Sequence, residues 1–178
     1  DPDTMFPIQN LPYGRFRRDK KSPWLSGVAI GDRVLDLHGS GFVESPDIAW
    51  LFGQKAGQRL ALRAALSQSF RRDTDRRTQL ERWLYPVKDV ELGLPCDIPN
   101  FSDFFIGIHH AAGTGRLYRP DAPLLPNYRW VPIGYHGRAS TVQVSGRDVH
   151  RPKGQIRPSP TTPPVLAPTE RLDFELEM

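Results

Sequence analysis

An aspartate and a histidine stand seven residues apart in the middle of the chain, at Asp103 and His110. On an α-helix this spacing is close to two turns, so both side chains would share one face. Asn100 could cap the start of that helix, and Gly113 and Gly115 could end it. A carboxylate beside an imidazole suits proton transfer or metal binding, and an ordinary capped helix shows the same spacing.

A second candidate site lies at residues 172–178, where apolar and acidic side chains alternate strictly and predict a β-strand. Its acids are Asp173, Glu175 and Glu177. Like charges along one face of a strand repel each other, whereas a hard cation such as Ca²⁺ or Mg²⁺ prefers carboxylate oxygens. The pattern therefore indicates either a strand with its acids in water or a strand that binds metal.

The elements that must position these residues begin with a β-hairpin in the first third of the chain. Val28–Ile30 and Val34–Leu37 are two short apolar runs separated by a Gly31-Asp32 turn. Helical spacing of apolar residues then predicts a helix over 54–70 and a second one over 72–84. The expected apolar face of the first helix consists of Ala56, Leu60, Leu62, Ala65 and Leu66.

Proline punctuates the second half of the chain, which has most of the 18 prolines of the protein. The segment Val87–Pro99 is the predicted boundary between two domains. After the central helix, residues 119–140 read as a long structured loop, of the kind that often has a function. A short strand is predicted over Thr141–Val144, and a polar loop over Arg147–Pro164.

The bulk composition restricts the class of protein. The chain of 178 residues is 38% hydrophobic and has a formal net charge of +4, with one cysteine, Cys96. A single cysteine allows no internal disulfide and fits a reducing compartment. No apolar run approaches the length of a membrane span, so we expect a cytoplasmic protein without membrane contact.

Part of the positive charge is concentrated in five arginines, namely Arg71, Arg72, Arg76, Arg77 and Arg82. Such a cluster can bind nucleic acid or an anionic membrane, or it can simply be the solvated face of a helix. No aromatic platform or groove-reading motif accompanies it, so we expect no nucleic-acid partner. A non-catalytic basic binding module remains the alternative function from a different class.

Several stretches, taken in order, resemble the fumarylacetoacetase family. The opening carries Phe-Pro-Ile-Gln-Asn-Leu-Pro-Tyr-Gly from Phe6 and Gly-Val-Ala-Ile-Gly-Asp from Gly27. The remaining motifs are Asp-Phe-Phe to His-His-Ala (103–111), Leu-Leu-Pro-Asn-Tyr (124–128), Pro-Ile-Gly-Tyr-His-Gly-Arg-Ala-Ser (132–140), Val-Ser-Gly (144–146), Arg-Pro-Lys-Gly-Gln (151–155) and Leu-Asp-Phe-Glu-Leu-Glu-Met (172–178). Their combination in this order is much more specific than any one of them.

The resemblance implies a mainly β fold with some α. Residues 1–95 would be a small SH3-like N-terminal barrel with a helical connector, and residues 96–178 the truncated first part of a mixed β-roll catalytic domain. It also implies a homodimer that hydrolyses a carbon–carbon bond of 4-fumarylacetoacetate to fumarate and acetoacetate. This reaction is the last step of tyrosine and phenylalanine degradation. The implied cofactors are Ca²⁺, which would hold the diketone oxygens, and a nearby Mg²⁺.

Carried over to this sequence, the resemblance implies roles for seven residues. His110 would be the general base that activates water, whereas the neighbouring His109 would be a bystander. The metal ligands would be Asp103, Glu175 and Glu177, and the substrate contacts would be Phe105, Arg119 and Tyr135. The family often has a tyrosine where this chain has Phe105, so one substrate hydrogen bond is lost or the substrate differs.

The resemblance further implies that the rest of the catalytic site belongs to a longer chain. We therefore expect the isolated 178-residue chain to lack hydrolase activity and to bind Ca²⁺ weakly. The nearest alternative is an enzyme of the same fold that acts on another diketo or 2-oxo acid.

Overall fold

A computed structural model describes residues 3–131, 133–172 and 174 of the protein. The chain divides into two compact units, Asp1–Val144 and Ser145–Met178. The predicted domain boundary after residue 95 stays a prediction. None of the helices in the described part of the chain has both the length and the apolar character that crossing a bilayer takes.

The first unit is built on a five-stranded antiparallel sheet. Its strands are β1 (Tyr13–Arg17), β2 (Leu25–Ile30), β3 (Arg33–Asp36), β4 (Leu84–Pro86) and β5 (Glu91–Gly93), in the order β4-β3-β2-β1-β5. The sheet curls into a half-barrel, and helices accompany it. The predicted fold class, mainly β with some α and opening with a small barrel-like domain, is confirmed.

The hairpin of β2 and β3 forms where the sequence predicts it. Ile30 pairs with Arg33, so Gly31 and Asp32 make a two-residue turn. Gly31 has a φ of 60°, a conformation that a side chain would disfavour. Val28 and Leu35 are paired in the register and fully buried, so the hairpin supplies the centre of the core.

Three helices follow the hairpin: α1 (Ile48–Phe52), α2 (Ala56–Ser69) and α3 (Arg77–Glu81). The side chain of Asp47 caps α1 by accepting from the backbone N–H of Ala49 at 2.9 Å. Buried residues of the sheet, the helices and the loops between them form one core, which consists of Leu11, Val28, Leu35, Leu37, Val43, Leu51, Leu66 and Leu80.

Two of the helical predictions need correction. Leu66 of α2 is fully buried as expected, but Leu60 is 70% exposed and lies outside the core. The predicted helix over 72–84 shrinks to the five residues of α3, and Leu84 instead begins β4. Asp73, Thr74 and Asp75 explain the late start, because their short polar side chains compete for backbone hydrogen bonds before a helix can form.

Part of the predicted boundary segment belongs to the sheet. Glu91–Gly93 forms the edge strand β5, and Arg17 of β1 lies directly opposite Glu91. The Arg17 guanidinium donates to both Glu91 carboxylate oxygens, at 2.9 and 2.7 Å. This hydrogen-bonded pair lowers the pKa of the Glu91 carboxyl below its usual value.

The second unit, taken by itself, is a hairpin of β8 (Lys153–Ile156) and β9 (Val165–Pro168). The prediction of a loop throughout Arg147–Pro164 is therefore wrong, since that segment contains β8. The predicted strand over Thr141–Val144 is also wrong, because Ala139–Thr141 makes a turn of 3₁₀ helix there. Most of the predicted strand over 172–178 lies outside the described residues.

Candidate active site

Asp103 lies on a strand and not on a helix. Strand β6 (Ser102–Phe104) pairs antiparallel with β7 (Gly134–His136), and Asp103 is opposite Tyr135 in the register. A bond from the Phe105 N–H to the Ile133 carbonyl, at 2.9 Å, extends this pairing past the end of β6. The prediction that Asp103 and His110 share a helix is wrong, because the aromatic run around Asp103 favours an extended backbone.

His110 lies on helix α4, which spans Ile108–Tyr118 and has Gly107 at its N-cap. It therefore occupies the first turn. Gly113 and Gly115 do not end the helix as predicted but lie within it, and the chain leaves the helix at Arg119. Gly115 is buried, and the backbone of Pro123 packs so closely against it that a side chain would not fit.

Tyr135 and Asp103 are joined by a short hydrogen bond. The Tyr135 hydroxyl donates to Oδ2 of Asp103 at 2.7 Å, a distance typical of a hydroxyl bonded to a carboxylate. Asp103 is partly buried, whereas Tyr135 is 59% exposed. The bond fixes the direction of one carboxylate oxygen at an accessible surface.

Phe105, directly after β6, contacts His110 of α4. Its ring meets the His110 ring edge to face, with centroids 5.3 Å apart and planes at 82°. Because side chains two residues apart on an extended chain point to the same side, Phe105 is expected on the same side of the β6–β7 strand pair as Asp103. The structure thus shows two contact pairs near this strand, Asp103 with Tyr135 and Phe105 with His110.

Tyr128 also contacts Phe105, with ring centroids 6.3 Å apart and planes at 81°. Its hydroxyl is buried and has no hydrogen-bond partner among the described residues. A buried polar atom left unpaired typically costs about 1–3 kcal/mol. The sequence assigned Tyr128 no role, and the Leu-Pro-Asn-Tyr motif gave no local signal of one.

Comparisons with known proteins show which family this chain resembles. Residues 9–95 match the family described as "Fumarylacetoacetase N-terminal". Residues 9–95 belong to the fumarylacetoacetase N-terminal family. The resemblance recognised from the sequence is thereby confirmed.

Fumarylacetoacetases of several organisms resemble the whole chain. The protein of Oryza sativa subsp. japonica is 39% identical over 99% of this chain, that of Rattus norvegicus 38% over 99%, and that of Caenorhabditis elegans 37% over 97%. The aligned part is 46% of each of these relatives. The chain thus spans about half the length of these fumarylacetoacetases.

Arg119, for which the fumarylacetoacetase resemblance implies a substrate contact, is exposed at the end of α4. Its Nη2 donates to the carbonyl oxygen of Pro123 at 3.3 Å. This bond ties the loop after α4 to the helix end, close to the packed Gly115. A bond from Arg119 to a substrate carboxylate stays a prediction.

The metal site that the fumarylacetoacetase resemblance implies includes two glutamates that the structure does not describe. Glu175 and Glu177 lie outside the described residues. Within the described ranges, no group of three His, Cys, Asp or Glu side chains is placed to hold a metal ion. The carboxylate of Asp103 is a hard oxygen donor of the type that Ca²⁺ and Mg²⁺ prefer, but these cations need several such oxygens. The described residues alone therefore do not make a cation site.

Proposed function

We propose that this chain is part of a metal-dependent hydrolase that cleaves the carbon–carbon bond of 4-fumarylacetoacetate to fumarate and acetoacetate, the last step of tyrosine and phenylalanine degradation. The names of the relatives support the reaction class. The observation that carries the proposal is a pair of contacts, the Tyr135–Asp103 hydrogen bond between two strands and the edge-to-face packing of Phe105 on His110 of α4.

In this proposal His110 is the general base. An imidazole exchanges protons near neutral pH, so it can take a proton from the water that attacks a substrate carbonyl. The edge-to-face contact with Phe105 restricts the orientation of the His110 ring. His110 is exposed, so water can reach it.

Asp103 and Tyr135 act together in the proposal. The hydroxyl of Tyr135 holds one oxygen of Asp103, which leaves the other oxygen for a cation that Glu175 and Glu177 also bind. When bound, Ca²⁺ would supply Lewis-acid polarisation of the substrate carbonyl. Arg119 would pair with a substrate carboxylate. Tyr135 would make a second contact with the substrate. We also propose Mg²⁺ as a second cation, a homodimer, and a cytoplasmic location.

A second candidate is the same hydrolytic chemistry on a different diketo acid. Phe105 favours this second candidate. The Phe105 ring contacts His110, the proposed base, but has no hydroxyl to offer a substrate. Product analysis of the complete protein with a panel of diketo acids distinguishes the two candidates.

The experiment that tests the function compares His110→Gln with His109→Gln in the complete protein. Release of fumarate and acetoacetate should fall by roughly 10²–10⁴-fold in His110→Gln, as expected for loss of a general base, and stay near wild type in His109→Gln. The isolated 178-residue chain should release neither product. Equal activity of the two variants would disprove the assignment of His110.

A further inference from the structure

Two open cavities adjoin the arginine pair Arg71 and Arg72 in the first unit. One has a volume of about 540 Å³ and the other about 710 Å³, and both are lined by Phe70 and by the two arginines. These volumes are in the range of small-molecule sites. Neither cavity is lined by a residue of the candidate active site.

The smaller cavity carries an excess of positive charge. Arg33, Arg71, Arg72 and Arg77 line it, together with one acid, Glu81. Glu81 already pairs with Arg77, with 3.3 Å between Oε1 and Nε. Within the described part of the chain, the side chains of Arg71 and Arg72 form no hydrogen bond or ion pair. Two guanidinium groups therefore remain available at the cavity.

The wall beside these arginines is apolar. Leu80 is buried, and Phe70 and Leu84 are partly buried where they line the same cavity. The hydroxyl of Ser69, another lining residue, is engaged with the Ala65 carbonyl and with Arg76. Cationic groups above an apolar wall suit an anion that carries a hydrophobic body.

We propose that this cavity binds a small organic carboxylate, with its charge on Arg71 and Arg72 and its apolar part on Phe70, Leu80 and Leu84. A planar guanidinium matches a carboxylate with two parallel hydrogen bonds, which gives the site its preference for that group. The cavity has a volume of about 540 Å³, the size of a small-molecule site, whereas nucleic acid needs an extended basic groove with stacking platforms. The proposal does not depend on the hydrolase reaction.

Titration calorimetry with three probes tests the proposal on the 178-residue chain and on the complete protein. Benzoate has the charge and the apolar body, benzamide has the body without the charge, and inorganic phosphate has charge without the body. Benzoate should bind at least tenfold more tightly than either of the others. Equal binding of benzoate and benzamide, or binding of a single-stranded oligonucleotide without binding of benzoate, would overturn the proposal.

Two double variants distinguish binding of benzoate at this cavity from binding that depends only on the net positive charge. Arg71→Gln with Arg72→Gln should weaken benzoate binding at least tenfold, which is about 1.4 kcal/mol. The matched control removes the same charge at two exposed arginines of the second unit, by Arg157→Gln with Arg171→Gln, and should leave the affinity unchanged. All four residues are exposed, so both double variants should fold. An equal loss of benzoate affinity in the two double variants would show that binding depends on net charge, and would refute the proposed site.

Discussion

The hydroxyl of Tyr135 donates to Oδ2 of Asp103 at 2.7 Å, although the two residues are 32 positions apart in the chain. Their strands meet in register at this pair, and the backbone continues the pairing on both sides of it. The register of the β6–β7 strand pair therefore places the two side chains within hydrogen-bonding distance.

The first prediction concerns this bond. Tyr135→Phe removes the donor but keeps the ring, so the carboxylate of Asp103 loses its fixed orientation. A hydrogen bond to a charged group contributes about 1.5–3 kcal/mol, so kcat/KM of the complete protein should fall roughly 10–100-fold. The measurement is steady-state release of fumarate and acetoacetate.

Tyr118→Phe is the matched control for this prediction, because Tyr118 is an exposed tyrosine on the nearby helix α4. It should keep wild-type kinetics. If the two phenylalanine variants have the same kcat/KM, the Asp103–Tyr135 bond has no part in the reaction.

The second prediction concerns the two glycines inside α4. A methyl group at Gly115 would overlap the backbone of Pro123, whereas one at Gly113 would meet open space. Gly115→Ala should therefore lower the free energy of unfolding by about 1–3 kcal/mol through overpacking. Gly113→Ala should raise it by about 0.5–1 kcal/mol, since alanine favours a helix. Urea unfolding measures both, and a stabilised Gly115→Ala would show that Pro123 does not pack there.

The third prediction uses two leucines of α2 that the sequence places on the same apolar face. Leu66 is fully buried, and Leu60 is 70% exposed. Leu66→Ala should lower the free energy of unfolding by about 2–5 kcal/mol, because it leaves a cavity in the core. Leu60→Ala should change it by less than about 0.5 kcal/mol. Similar losses in the two variants, measured by urea unfolding, would contradict the orientation of the helix.

These leucines illustrate what the sequence can and cannot predict. Periodicity predicts that α2 forms, because the signal lies within a few turns, and the Gly31-Asp32 turn predicts its hairpin for the same reason. Which leucine is buried depends on what packs against the helix, and this is decided by residues distant in sequence.

The candidate site shows the same limit more sharply. The seven-residue spacing of Asp103 and His110 fits a helix, but Asp103 pairs with a strand 32 residues away that spacing cannot reveal. The residue types at Asp103, His110 and Tyr135 were recognised through motifs, whereas the contacts of Phe105 with His110 and Tyr128 required the fold.

The last prediction concerns acid stability and Glu91. The bond from Arg17 lowers the pKa of Glu91 in the folded protein, so Glu91 stabilises the fold at pH values above the pKa of an unfolded glutamate. This contribution is lost as the pH falls through the lowered pKa of the folded state. Urea unfolding at pH values from 7 to 3 should show that the free energy of unfolding falls less with acid in Glu91→Gln than in the wild type.

Glu44→Gln is the control for the acid experiment, because Glu44 is exposed and has no ion pair within the described residues. Its pH profile should match that of the wild type. The part of the loss that remains in Glu91→Gln belongs to other groups such as Asp19, whose pKa is lowered chiefly by its hydrogen bond from the Ser22 hydroxyl. If the free energy of unfolding of Glu91→Gln falls between pH 5 and 3 as steeply as that of the wild type, the Arg17–Glu91 pair does not stabilise the contact of β1 with β5 in solution.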